Sequence, residues 1–128
     1  MGQQQMLLII LGVIIVGIAI AIGISLFSAQ SVSSNRDAMM GDLNHLSAIA
    51  YEFRISIRSM GGGQGDYSTF SIPLQMQSNS NGTYTVANAQ VNSVTFKAVS
   101  ASNPSNTIMV TIDSNGRIGN ITYGGDFQ

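Results

Sequence analysis

Residues 39–60 read MMGDLNHLSAIAYEFRISIRSM, and the spacing of apolar side chains in this stretch decides how the chain folds. Met39, Leu43, Leu46, Ala50, Phe53, Ile57 and Met60 recur at intervals of four and three, which sets them in one stripe along a helix. Arg36, Asp37, Asp42, Asn44, Glu52, Arg54 and Arg58 occupy the rest of the helical surface. Asp37 and Asp42 come early while Arg54 and Arg58 come late, which complements the helix dipole. Gly61–Gly63 supply the stop, glycine being favoured just past a helix end. Gly41 is the weak point within the span. A helix with a single apolar stripe has to bury that stripe against something.

Upstream, Met6 to Phe27 reads MLLIILGVIIVGIAIAIGISLF, 22 residues without a charge. At ~1.5 Å per residue such a helix covers ~33 Å, enough to cross a bilayer. A secretory signal peptide brings a basic start, a shorter apolar run of roughly 7–15 residues and a small-residue cleavage site. Here the first basic residue is Arg36, beyond the run, and no cleavage site stands out after Phe27. The segment is therefore expected to stay. Met6, Leu7, Leu8, Ile10, Leu11, Ile14, Ile15, Ile18, Ile22 and Leu26 are its packing residues. Gly12, Gly17 and Gly23 let other helices approach closely and loosen the helix by ~1 kcal/mol each relative to alanine. Their spacing is not that of the G-x-x-x-G dimer motif. No proline separates this run from the amphipathic stretch, so one helix from Gln3 to about Ser59, roughly 85 Å long, is predicted. A break across Ser28–Ser34 (SAQSVSS) is the alternative.

Downstream of Asp66 the period changes to two. Phe70, Ile72, Leu74 and Met76 alternate with polar residues and Pro73, predicting an edge strand. SNSNG at 78–82 predicts a turn. Strands follow around Tyr84 and Val86, then Val94, Phe96 and Ala98, then Ile108, Val110 and Ile112. DSNG at 113–116 predicts a tight turn into RIGNITY, where Ile118 and Ile121 fall on opposite parities and Gly119 between them predicts a bulge. Four or five such strands in about 62 residues are marginal alone but can cover the Met39–Met60 stripe. The expected fold is α+β: an apolar helix over 1–28, its amphipathic continuation over 29–60, a Gly-rich loop over 61–66 and an antiparallel meander head over 67–128.

Composition narrows the chemistry. Charged residues are 9% of the chain and the net charge is −1, which gives no electrostatic case for nucleic acid. The chain has no cysteine, so disulfides, thiolate catalysis and cysteine metal sites are excluded. His45 is the only histidine and no Ser–His–Asp set can be argued from it. The glycine run at 61–65 lacks the lysine and the strand-before, helix-after context of a phosphate loop. Asn81-Gly-Thr83 and Asn120-Ile-Thr122 are candidate glycosylation sites on expected surface turns. No enzyme and no cofactor is expected.

The GQQQMLLII start, the uninterrupted helix, GGGQG at 61–65 and the C-terminal sheet together resemble a type IV pilin. The resemblance covers the whole chain and lies in architecture and pattern. It implies a leader cut between Gly2 and Gln3, and a subunit held in the inner membrane by a single span. An assembly machinery would then draw copies into a helical homopolymer, an extracellular filament at the cell surface of the kind used in cell adhesion. Bacterial pilins usually carry Glu at the fifth mature residue; here that position is Leu7 after cleavage or Gln5 without it. Two other readings remain open: a pseudopilin of a secretion system, or a single-span anchored domain that binds a partner outside the cytoplasm.

Overall fold

The computed structural model describes residues 2–128, in two compact units that meet between Ser33 and Ser34. Met1, the first residue of the expected leader, lies outside the described residues. Helix α1 (Gln3–Ile55) runs without a break, so SAQSVSS and Gly41 are both helical.

The first unit is the apolar half of α1. Every large apolar side chain from Met6 to Phe27 is exposed, with Phe27 at 76%. Isoleucine and valine are only middling helix formers in water. In hydrocarbon, however, a helix satisfies every backbone polar group within the segment, which suits an apolar run of this length.

The second unit is an α+β head. Its four strands, β1 (Gly82–Ala89), β2 (Val94–Ser100), β3 (Thr107–Ile112) and β4 (Ile118–Gly124), form an antiparallel meander in sequence order. Register sets cross-strand rows on the inner face: Val86–Phe96–Val110–Ile121 and Tyr84–Ala98–Ile108–Tyr123. The outer face carries Thr85–Lys97–Met109–Thr122 and Thr95–Thr111–Asn120. Met39, Leu43, Leu46 and Ala50 of α1 are buried in the core with Tyr67, Phe70, Phe96 and Phe127. Phe70 stands edge-on to both Phe53 and Phe96, at 5.3 and 5.9 Å between ring centres, and so joins helix to sheet. The bulge expected at Gly119 is present: Thr111 pairs with Asn120 and Ile112 with Ile118, leaving Gly119 over.

Three expectations are corrected. The helix ends at Ile55 rather than Ser59, and a single 3-10 turn follows at Arg58–Met60. The reason is the glycine loop, which folds back instead of trailing away. The N–H groups of Gly63, Gln64 and Gly65 donate to the carbonyls of Phe53, Ser56 and Arg54, satisfying the last turn of α1. This return takes left-handed backbone at Gly61, Gln64 and Gly65, and a side chain at Gly63 would collide with the Asp66 backbone. Ile57 and Met60 consequently leave the stripe; they are 52% and 80% exposed, not core. Phe53 is half-buried. Last, Phe70–Met76 forms no strand. Met76 N–H turns back to the Pro73 carbonyl, making a 3-10 turn at Leu74–Met76 that leaves Leu74 83% exposed. Phe70 and Ile72 are buried as the alternation requires, but they reach the core from irregular chain.

Candidate functional site

Among the described residues, no group of three or more His, Asp or Glu side chains is placed to hold a metal ion. His45 is exposed on α1. The candidate functional feature is instead the apolar helix itself. Met6, Leu7, Leu8, Ile10, Leu11, Ile14, Ile15, Ile18, Ile22 and Leu26 are all more than half exposed, on every side of the helix. Above Gly12, Gly17 and Gly23 the space is open, so nothing among the described residues uses the close approach they permit. Gly2 and Gln3, the candidate cleavage pair, stand at the start of the helix, where the Gly2 carbonyl accepts from the N–H groups of Gln5 and Met6. The segment is long and apolar enough to cross a membrane.

The head has its own polar anchorage, built where α1 meets the sheet. Asp42 lies on the margin of the apolar stripe. Its Oδ2 accepts from Tyr84 Oη on β1, from Asn79 Nδ2 at 2.9 Å and from Asn81 Nδ2 at 3.1 Å. Partial burial pushes the Asp42 carboxyl up, but these three donors, Tyr84 foremost, and the nearby His45 outweigh it and hold the carboxyl below its usual range. Tyr84 moves the other way: burial first, then the bond to the Asp42 carboxylate, raises its phenol well above the ordinary value. Two turns earlier on α1, Asn35 donates to the Asn81 carbonyl at 3.1 Å and accepts from Ser100 Oγ.

At the far end of the amphipathic half, Arg54 ties α1 to two turns. Nη1 donates to the Ser114 carbonyl at 2.9 Å in the β3–β4 turn, and Nη2 to Asn92 Oδ1 at 3.2 Å in the β1–β2 turn. The guanidinium lies 5.4 Å from the centre of the Tyr67 ring, whose Oη donates to the Asp113 carbonyl at 2.8 Å. The Asp113 carboxylate in turn accepts from the N–H groups of Arg117 and Asn115, which closes the expected 113–116 turn and keeps the acid below its usual range. The sequence pattern puts Asp42 and Arg54 on the polar side of the helix and does not show these contacts. Their position beside the stripe was the available signal, since a flanking polar side chain on such a helix reaches the rim of whatever covers it.

The two candidate glycosylation residues fall in different settings. Asn81 is half-buried in the Asp42 cluster, whereas Asn120 is exposed on β4. No known protein family, curated protein or solved structure matches this chain.

Proposed function

We propose that this protein is the structural subunit of an extracellular filament of the type IV pilin kind, assembled through residues 6–27. One observation carries the reading: a charge-free helix exposes large apolar side chains on all sides, while the head attached to it closes its own core. Such a helix has to be surrounded either by lipid or by protein. Copies wait in the inner membrane, and an assembly machinery then transfers each helix from lipid into a bundle of identical helices with the heads outside. Burial dominates cohesion. Even about 1,000 Å² of apolar contact is worth ~25 kcal/mol gross, reduced by ordering costs and by the lipid contacts given up. The lack of a carboxylate at either candidate fifth position makes the association of neighbouring N-termini a neutral one, with Gln3–Gln5 as the polar groups at hand.

The test is mass spectrometry of material sheared from intact cells, read to a single residue. Under this reading the chain dominates the sheared fraction, and its mass tells whether the first two residues are gone. A chain confined to the membrane pellet would replace the filament by an anchored or pseudopilin role.

A further inference from the structure

Two Asn-x-Thr triplets, Asn81-Gly82-Thr83 and Asn120-Ile121-Thr122, carry the same local signature, and the structure separates them. Asn81 is committed. Its Nδ2 donates to Asp42, its N–H donates to Asn79 Oδ1 at 2.8 Å, and its carbonyl accepts from Asn35 Nδ2 and from the Ala101 N–H, each at 3.1 Å. Gly82, the middle residue, is buried against the Val99 carbonyl with no room for even a methyl group. Opening this triplet means pulling α1 and the sheet apart.

Asn120 has the opposite surroundings. Residues 119–122 are all exposed, and the Asn120 carboxamide makes no hydrogen bond among the described residues. Among the described residues β4 pairs with β3 alone, as the last strand of the sheet. The Gly119 bulge next to Asn120 interrupts even the one ladder that holds it. Asn120 and Thr122 pair with Thr111 and Met109, which sets both side chains on the outer face of the sheet.

We propose that Asn120 is a glycosylation site, accepting an oligosaccharide from a lipid-linked donor, and that Asn81 is not. The reaction needs what only Asn120 offers. An amide nitrogen is a poor nucleophile because its lone pair is delocalised into the carbonyl. A transferase therefore has to turn the carboxamide nitrogen freely while it reads the hydroxyl two residues on. The Asn120 Nδ2 attacks the anomeric carbon of a sugar carried on a lipid phosphate or pyrophosphate. The new N–C bond forms as the C–O bond to phosphate breaks, the lipid phosphate leaves with the electron pair, and Nδ2 gives one of its two protons to a base of the transferase. The product, a bulky solubilising group, then lies on an exposed strand and displaces no contact of the fold. The inference rests on the filament reading in one respect: the head must stand on the outer side of the membrane, where the transferase works.

Trypsin separates the two candidates, since cleavage after Arg58, Lys97 and Arg117 puts Asn81 in the peptide 59–97 and Asn120 in 118–128. The full chain is recovered from the surface of the cells that make it and both peptides are weighed. The expected result is a saccharide increment on 118–128 alone, lost in Asn120→Gln and Thr122→Ala and kept in Thr122→Ser. Thr122 is exposed, so these changes leave the fold intact. An unmodified 118–128 peptide from surface-exposed chain overturns the inference and leaves the filament reading standing, as does sugar on 59–97 instead. A head that external protease cannot reach on intact cells overturns both.

Discussion

The two units solve the burial of apolar surface in opposite ways. The head hides Met39, Leu43, Leu46 and Ala50 beneath a sheet that the same chain provides. The first unit presents side chains as large as Ile14, Ile18 and Phe27 and covers none of them. Stability in the head is thus a property of one molecule. Whatever holds the apolar helix is a property of its surroundings, lipid or protein. A substitution in one unit should therefore alter a different observable from a substitution in the other.

The largest effect is expected from a charge in the apolar helix. Under the filament proposal, Ile14→Glu or Ile18→Glu should abolish filaments in the sheared fraction, because a carboxylate in an apolar bundle or at mid-membrane costs several kcal/mol. Thermal unfolding of the head, followed by circular dichroism on the full chain in detergent, should stay at the parent temperature. Normal filaments from both variants would remove the basis for the contrast. Next comes Leu43→Ala, which leaves a hole under the sheet and should cost the head about 2–5 kcal/mol in denaturant unfolding.

A smaller loss is expected for Tyr84→Phe, about 1.5–3 kcal/mol for a bond to a charged group. The pH profile carries the signs. Asp42 has a lowered pKa in the folded head, so its contribution is complete above the ordinary carboxyl value, about pH 4, and disappears as pH falls through the lowered one. Tyr84 is raised, so its contribution is complete below about pH 10 and fades as pH climbs through the folded value. Stability against pH should show both shoulders in the parent, and Asp42→Asn should flatten the acid one. The smallest effect sharpens a boundary: Met60→Ser should change head stability by no more than about 0.5 kcal/mol, since Met60 lies outside the core.

Legibility followed the range of the interactions. Met39, Leu43, Leu46 and Ala50 could be placed because a helical period is a local property. The Gly119 bulge could be placed because the parity slip between Ile118 and Ile121 is written within four residues. Ile57 and Met60 keep the helical period yet leave the core, because the termini of helices are decided by capping, and the cap comes from the glycine loop returning to Phe53, Arg54 and Ser56. Phe70–Met76 alternates like a strand, but a strand needs a neighbour, and no alternation reports whether one is there. The Asp42 cluster was least visible, since its donors at Asn79, Asn81 and Tyr84 lie about forty residues away. The exposed side chains of residues 6–27 could be read as needing partners, but one chain cannot supply them.

The meander order has a kinetic consequence. Each strand pairs only with its sequence neighbour, across connections of four, six and five residues. Sheets joined this way close short loops first and have low contact order, which favours rapid folding. The slow contacts are those that span the chain, Asp42 to Tyr84 and Arg54 to Ser114, and they form only when the sheet meets the helix. Hairpins that assemble in sequence can be complete soon after β4 emerges. The interval during which Phe96, Val110 and the stripe of α1 lie open to other chains is then short, which limits the time in which apolar surface can aggregate.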